Sequence, residues 1–157
     1  MYRLIRPVLF LLPAETAHHL GMFLARLCAP LAPLVRRILM PRTPRLSQSL
    51  LGGVWANPIG LAAGLDKDGR AAGGLAGLGF GAIEIGTITA HAQPGNPKPR
   101  LFRSIKDQAI INRFGFNNPG CETAAGSVAR HQLPCPLGGN IGKSKITNNS
   151  DAVDDYQ

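Results

Sequence analysis

The sequence predicts an α/β fold in which a parallel sheet follows a basic, helical amino-terminal segment. Two observations indicate the sheet: short apolar strands alternate with a helix rich in small residues, and polar side chains directly follow these strands. A third observation, the distribution of charge, indicates the basic amino-terminal segment: seven arginines and one acid precede residue 66 in a chain of net charge +8. The chain has 157 residues, 45% of them hydrophobic, which is enough for one modest domain with its own core.

Two amphipathic helices are predicted within residues 1–45, which we call the head. Apolar residues recur at helical spacing from Ala14 to about Cys28, and a second helix is predicted from about Pro33 to Met40, before Pro41 and Pro44. This helical hairpin has an apolar surface and a rim of arginines that includes Arg36 and Arg37. Its apolar face either packs on the following domain or lies in a membrane interface, and both can hold at once.

The charge of the head indicates contact with a polyanionic surface, either anionic lipid or nucleic acid, and its apolar content favours lipid. The apolar segment from Pro7 to Pro13 imitates a signal peptide, but it is far shorter than the roughly 20 apolar residues of a membrane span. We expect neither secretion nor a transmembrane helix. The three cysteines lack CxxC spacing, so we expect no disulfide framework and no metal site.

The body, residues 46–157, is predicted to begin with a β-hairpin and to continue with βα units. A Gly52-Gly53 turn joins the hairpin strands, and the later elements in chain order are a strand at Ile59–Ala63, a helix at Arg70–Leu78, a strand at Ala82–Ile85, strands at Leu101–Arg103 and Ala109–Ile111, a helix at Cys121–His131, a strand at Leu137–Ile141 and a helix starting near Gln157. The βαβ order predicts parallel pairing. The small residues of the first body helix are expected to let it approach the sheet closely.

Lys67 is the candidate functional residue with the clearest chemistry. It follows an apolar strand and glycine-rich backbone, where an ammonium group loses solvation. An anion or an aromatic ring beside the ammonium would compensate for that loss. A bound ligand would supply that partner. The alternative is an ordinary surface lysine just past a strand.

Polar groups from three strand ends are expected to meet at one edge of the sheet. Asp66 and Lys67 are placed after the first strand, Thr87 after the second, and Asn140 and Lys143 after the third. Residues 112–118 add amides, aromatic rings and a glycine from a long loop. This set suits a planar, hydrogen-bonding ligand such as a flavin. Gly77-Leu78-Gly79-Phe80-Gly81 lies between a helix and a strand, the reverse of the dinucleotide-binding order, and Asp66-Lys67-Asp68-Gly69 lacks the further acids of a calcium loop.

Several blocks of the chain closely resemble the dihydroorotate dehydrogenases. They are Asn57 to Gly69, Phe80 to Thr87, Pro94 to Arg103, Ile111 to Asn118 and Asn140 to Lys143, all in the order of the family. The resemblance covers essentially the whole chain. The amphipathic head resembles that of the membrane-associated, quinone-reducing class (class 2).

This resemblance implies a TIM (β/α)8 barrel that binds FMN and oxidises dihydroorotate to orotate, with quinone as electron acceptor, in de novo pyrimidine (UMP) biosynthesis. The implied flavin contacts are Ala63, Gly64, Leu65, Asp66, Lys67, Thr87 and Asn140. The implied substrate contacts are Lys67, Asn112, Arg113, Phe114, Gly115 and Phe116. His18 and Arg103 are quinone-site candidates, each of which could instead be an ordinary surface or structural residue. The implied location is the cytoplasmic side of the cell inner membrane, as a peripheral protein, and no nucleic-acid partner is expected.

The chain departs from the family pattern in length. A complete barrel needs about 250 residues, whereas only about 110 follow the head. We therefore expect an incomplete TIM barrel of the first three or so βα units, without the serine base that the family carries after its fourth strand. A chain of this extent is expected to be inactive alone. The alternative interpretation is a non-catalytic basic module that binds membrane or nucleic acid.

Overall fold

The computed structural model describes residues 2–40 and 43–157, which form a mixed α/β structure. Within them, the helices are α1 (Tyr2–Leu11), α2 (Ala14–Leu27), α3 (Ala32–Leu39), α4 (Ala72–Ala76), α5 (Cys121–Val128) and α6 (Ala152–Asp155). The strands are β1 (Gln48–Leu50), β2 (Gly53–Trp55), β3 (Gly60–Leu61), β4 (Ala82–Ile88), β5 (Leu101–Ser104), β6 (Ala109–Asn112) and β7 (Leu137–Ile141). Short 3-10 turns follow α2 and precede β1 and α6.

The head contains one more helix than the sequence predicted. Helix α1 includes the first five residues, 7–11, of the apolar segment that resembled a signal peptide, and Pro7 lies inside the helix. Proline within a helix is normally unfavourable, which is why the pattern did not indicate a helix here. Helix α3 ends at Leu39, one residue before the predicted end at Met40, and the breaking Pro41 and the basic Arg42 lie outside the described residues. No helix of the described part of the chain is long and apolar enough to cross a membrane.

A three-stranded parallel sheet forms the centre of the body, in the order β3, β4, β7. Gly60 pairs with Ala82, and Ile83 pairs with Leu137, so the predicted parallel pairing is confirmed. Strand β3 is shorter than expected because its pairing continues through irregular backbone hydrogen bonds: the Gly64 amide donates to Gly86, and the Gly86 amide donates to Asp66. Strand β4 is longer than expected because β7 pairs with it as far as Ile88.

Two antiparallel pairs lie outside this sheet. In the β1–β2 pair Leu50 faces Gly53, so the turn consists of Leu51 and Gly52, and the predicted turn at Gly52-Gly53 is wrong by one residue. Leu51 and Gly52 both have positive φ, as tight hairpin turns require. Gly53 pairs in β2, and Pro136 approaches it so closely that a Cβ there would lie 2.7 Å from Pro136 Cγ. The second pair is β5 with β6.

Helix α4 packs between the sheet and the head. Its residues Ala72, Leu75 and Ala76 are buried in a cluster with Ile83 and Ile85 of β4. The small residues serve two approaches: Ala72 and Ala76 pack towards the sheet as expected, whereas Gly74, and Gly77 just after the helix, face the head. A Cβ at Gly74 would lie 1.7 Å from the Ala25 carbonyl oxygen of α2, and one at Gly77 would lie 2.7 Å from Ala32 Cα of α3. Helices α2 and α3 therefore pack on the body through glycine.

Arg36 does not belong to the polar rim that the sequence predicted. It is buried, with 8% of its surface exposed. Its Nη1 donates to the carbonyl oxygens of Ala76 and Phe80, each at 2.9 Å. These carbonyls lie at and beyond the carboxyl end of α4, where a helix leaves backbone acceptors without partners. Arg36 thus binds α3 to α4, and Arg37 of the same helix remains exposed.

Replacing Arg36 by Met is expected to lower the free energy of unfolding by about 2 kcal/mol, because one buried and one partly buried carbonyl oxygen lose their donor. Arg37→Met is the matched control in the same helix and is expected to change it by less than about 0.5 kcal/mol, since Arg37 is exposed. Chemical denaturation of the whole protein measures both. Equal effects of the two substitutions would contradict a structural role of the buried guanidinium.

Candidate functional site

A cavity of about 530 Å³ lies between helix α2 and the loops that follow β3, β4 and β6. We call it the site cavity. Helix α2 contributes His18, His19, Met22, Phe23 and Arg26; the loop after β3 contributes Leu65 to Asp68, Arg70 and Ala71; and the loops after β4 and β6 contribute Gln93, Pro94, Phe114 and Asn117 to Pro119. The predicted site residues that the structure brings together here are His18, Leu65, Asp66, Lys67 and Phe114.

Lys67 is half-buried in this cavity, and its ammonium lies 4.7 Å from the centre of the Phe114 ring. Within the described residues it forms no ion pair with a carboxylate. Burial lowers the pKa of Lys67 below that of a free lysine, and the charge of Arg100 lowers it further. A cation supported mainly by an aromatic ring is suited to receive an anionic ligand.

Phe114 connects the predicted substrate segment to helix α2. Its ring also lies 5.2 Å from Cζ of Arg100 and 6.4 Å, centre to centre, from the ring of His18. Burial lowers the pKa of His18, and the positive charges of His19 and Lys67 contribute. The ring of Phe114 therefore has three basic side chains around it.

Thr87 and Asn140 lie outside the site cavity and are joined to each other at the ends of β4 and β7. The Thr87 hydroxyl donates to Asn140 Oδ1 at 2.5 Å, and Asn140 Nδ2 donates to Glu84 Oε1 at 3.0 Å. Because a carboxylate oxygen accepts hydrogen bonds, Glu84 fixes which way the Asn140 amide faces. Sequence reasoning missed Glu84, although a lone acid within an otherwise apolar strand was a usable signal.

Asp66 has a structural task in addition to its place beside Lys67. Only 1% of its surface is exposed, and its Oδ2 accepts from the Ala71 amide at 3.0 Å, next to the start of α4. Burial raises the pKa of Asp66, whereas the hydrogen bond from Ala71 opposes that change. The neighbouring Gly64 has φ +106, and no atom lies within 4 Å of the position of a Cβ there. Its backbone is therefore open to close approach by a ligand, with Ala63 and Leu65 on either side.

The predicted substrate segment, Asn112 to Phe116, is fixed mainly by hydrogen bonds to the loop between β4 and β5. The Arg113 guanidinium donates to the Pro99 carbonyl at 3.2 and 3.0 Å, and Asn112 Oδ1 accepts from the Phe114 amide at 3.4 Å. Gly115 and Phe116 both have positive φ. Phe114 reaches the site cavity, while Asn112, Arg113, Gly115 and Phe116 do not line it.

The two quinone-site candidates lie in different places. His18 lines the site cavity, whereas the Arg103 guanidinium donates to the carbonyl oxygens of Leu12 at 2.8 Å and Leu9 at 3.4 Å. Arg103 also lies 4.6 Å from the centre of the Phe10 ring. It therefore holds the carboxyl end of α1, and the site cavity does not include it.

Asn118, which the sequence analysis placed among the amides of a long loop without a specific contact, organises one wall of the site cavity. Its side-chain oxygen accepts from the amides of Thr89 and Gly120, at 3.2 and 2.9 Å, and its Nδ2 donates to the Thr89 hydroxyl at 2.8 Å. The neighbouring Asn117 has a buried Oδ1 without a hydrogen-bond partner among the described residues. Asparagine in a glycine-rich loop is common in turns, so the pattern did not separate these two residues from turn formers.

These groups are compatible with a planar, hydrogen-bonding cofactor at the carboxyl ends of the strands. Gly64 offers backbone that a ligand can approach, Lys67 offers a cation, and Thr87 and Asn140 offer a hydroxyl and an amide of fixed orientation. Ligands of open α/β sheets bind at this end of the strands. The fold and the site together define an α/β protein with a site suited to a planar, hydrogen-bonding ligand at the carboxyl ends of its strands.

The model of the dihydroorotate dehydrogenase family matches residues 45–157, and the chain belongs to this family. Its members are flavin-dependent oxidoreductases. Among curated relatives, the dihydroorotate dehydrogenase (quinone) of Mycobacterium tuberculosis strain H37Rv is 51% identical over 160 residues, which cover 100% of this chain and 45% of the relative. The enzyme of that name from Rhodococcus opacus strain B4 is 47% identical over 159 residues, covering 99% of this chain and 45% of the relative.

Solved structures also match. The structure of DHODH from Eimeria tenella in complex with ferulenol has a TM-score of 0.72 and 40% identity, covering 90% of this chain and 38% of that one. The ligand-free structure of the same enzyme gives the same TM-score and identity and is covered to 40%. The chain thus spans about 45% of the length of the curated relatives named above.

Proposed function

We propose that the whole protein oxidises dihydroorotate to orotate with FMN, and reduces quinone, in pyrimidine biosynthesis. The family match supports the reaction, because it covers residues 45–157. The observation on which the proposal mainly rests is Lys67, a half-buried cation that lies against Phe114 and has no carboxylate partner in the described part of the chain.

The flavin would be held at the carboxyl ends of β3, β4 and β7. When bound, FMN supplies the hydride acceptor for dihydroorotate and the electrons for quinone. At Gly64 the flavin could approach the backbone closely, with Ala63, Leu65 and Asp66 beside it. Thr87 and Asn140 would form hydrogen bonds with the polar edge of the flavin, and Glu84 would keep the Asn140 amide in the required orientation. Lys67 would stabilise negative charge that develops at the site.

The substrate would lie between Lys67 and the segment from Asn112 to Phe116. Orotate and dihydroorotate are anions, so the Lys67 ammonium favours their binding. Because burial and then the charge of Arg100 lower the pKa of Lys67, this contribution is lost, as pH rises, at a lower pH than for a free lysine. Phe114 positions the ammonium from one side.

We also propose that β3, β4 and β7 are strands of an incomplete TIM barrel, the first three or so βα units, preceded by the head. The parallel order of the strands and the site at their carboxyl ends support this architecture. The domain division into residues 1–45 and 46–157 remains a prediction.

The head is proposed to bind the cytoplasmic side of the inner membrane as a peripheral element and to admit quinone, with His18 and Arg103 as candidate contacts. Exposed apolar side chains support membrane contact: Leu4, Val8 and Leu11 of α1 are 81%, 63% and 84% exposed, and Leu34 and Ile38 of α3 are 58% and 72% exposed. Apolar faces of this size, next to arginines, suit a membrane interface.

A triple substitution tests the membrane contact. Changing Leu4, Leu11 and Ile38 to Ser is expected to weaken binding of the whole protein to anionic vesicles at least about tenfold, because each buried Leu or Ile contributes about 1.5 to 3 kcal/mol. The control changes Leu51, Ile110 and Ile146, which are 98%, 70% and 76% exposed on the body, to Ser. Equal loss in both variants, measured by vesicle sedimentation, would argue against a membrane role of the head.

The visible absorption spectrum of the whole protein tests the cofactor. We expect a flavin spectrum, FMN in the extract after denaturation, and dihydroorotate-dependent quinone reduction. A colourless protein that does not reduce quinone would refute the proposed function. Vesicle or nucleic-acid binding by such a protein would favour the alternative of a non-catalytic basic module.

A further inference from the structure

Arg100 joins helix α2 to the loop that carries Pro94 and Asn96. Its Nε and Nη2 both donate to Glu15 Oε1, at 3.0 and 2.9 Å, and its Nη1 donates to the carbonyl oxygens of Pro94 at 2.8 Å and Asn96 at 3.3 Å. Only 7% of Arg100 is exposed. A buried guanidinium with this many partners has little freedom to move, and Glu15 is the partner that belongs to the head.

The same guanidinium contacts the site through an aromatic ring. Cζ of Arg100 lies 5.2 Å from the centre of the Phe114 ring, and Nζ of Lys67 lies 4.7 Å from the same centre. Both distances are within the roughly 6 Å range of a cation–π interaction. The two cations share one ring, so a change at Arg100 alters both the place of the ring and the charge near Lys67.

The order of contacts runs from Glu15 of α2, through Arg100 and Phe114, to Lys67. We propose that Arg100 is a positioning residue that holds Phe114, and through it the Lys67 ammonium, and that its ion pair with Glu15 makes this position depend on the docking of α2. The inference rests on the proposed function for its catalytic consequence. In this proposal the Glu15–Arg100 ion pair couples the docking of the head to the geometry of the site.

Two further observations agree with this geometry. Burial alone would raise the pKa of Glu15, but the hydrogen bond and charge of Arg100, with a smaller contribution from Lys98, bring that pKa below its ordinary value. The pKa of Lys67 is lowered by burial and then by the charge of Arg100. Glu15 and Lys67 therefore both respond to the same guanidinium.

The first experiment is spectroscopic and does not depend on catalysis. Lysines of the whole protein are reductively methylated with 13C-formaldehyde, and the Lys67 signal is identified by its loss in Lys67→Met. We expect a ring-current shift from Phe114 that changes in Arg100→Gln and in Glu15→Gln. Lys98→Gln is the control, because Lys98 lies 3.5 Å from the same Glu15 oxygen but is exposed. A Lys67 signal that is unchanged in Arg100→Gln and Glu15→Gln would overturn the inference.

The second experiment measures kcat and KM for dihydroorotate. Arg100→Gln and Glu15→Gln are expected to lower kcat about 10- to 100-fold, because misplacement of a reacting group by about 1 Å costs on the order of 10²-fold, and Lys98→Gln is expected to lower it less than about twofold. In a Lys67→Met background, Arg100→Gln should have no further effect on kcat.

The same loss of kcat in both backgrounds would mean that Arg100 acts without Lys67 and would overturn the inference. A whole protein that lacks flavin or dihydroorotate oxidation refutes the proposed function instead. In that case the 13C signal still decides whether Arg100 positions Lys67.

Discussion

Lys67→Met is expected to reduce kcat for dihydroorotate oxidation by the whole protein about 10²- to 10³-fold, the loss that follows removal of one preorganised donor from an electrostatic site. The ammonium lies 4.7 Å from the Phe114 ring centre and has no carboxylate partner among the described residues. Methionine has a similar length and apolar stem but no charge, so the substitution removes the cation with little change in packing.

The control for this substitution is Lys106→Met. Lys106 is exposed in the turn between β5 and β6. We expect its substitution to change kcat less than about twofold, because surface substitutions away from a site have small effects. Flavin content is measured in both variants, which separates loss of cofactor from loss of turnover. If Lys67→Met retains kcat within about threefold with full flavin content, the electrostatic role of Lys67 is wrong.

Gly74→Ala is expected to lower the free energy of unfolding by about 3 kcal/mol, the upper end of the usual cost of overpacking. A Cβ at Gly74 would lie 1.7 Å from the Ala25 carbonyl oxygen, and backbone of helix α2 cannot move aside as a flexible side chain can. We expect α2 to shift away from α4, which also disturbs the site cavity because His18 and Phe23 belong to α2.

Gly126→Ala is the matched control, since Gly126 also lies within a helix, is exposed, and has nothing within 4 Å of a Cβ position. It is expected to raise the free energy of unfolding by about 0.5 to 1 kcal/mol, the difference in helix propensity between the two residues. Both variants are compared by chemical denaturation. Similar changes in the two would mean that the head does not pack on α4 through Gly74.

Local patterns predicted the sheet well. Strand β7 has the predicted bounds, Leu137–Ile141, and the βαβ order predicted the parallel pairing of β3 with β4. The strand bounds and the parallel pairing follow from short apolar runs and from the order of the elements, which a single sequence shows directly. The candidate residues Lys67 and Phe114 were also predicted, on their position after strands and on the resemblance, and the structure places them in contact.

Features that depend on distant packing were not predictable in this way. Arg36 was placed on a polar rim by helical periodicity, but its partners Ala76 and Phe80 lie 40 and 44 residues away. Glu84 orients Asn140 from 56 residues away. The hairpin turn lies one residue earlier than predicted, and the residue after it, Gly53, lies where a Cβ would come within 2.7 Å of Pro136 Cγ, far along the chain. At Arg36 and Glu84 a tertiary contact overrode the local pattern.

Anaerobic titration of the whole protein with dihydroorotate tests the central claim most directly. The visible flavin absorption should bleach on addition of dihydroorotate and return on addition of quinone, and Lys67→Met with full flavin content should bleach about 10²- to 10³-fold more slowly. A flavin band that dihydroorotate leaves unchanged, or a protein without flavin, would contradict the account.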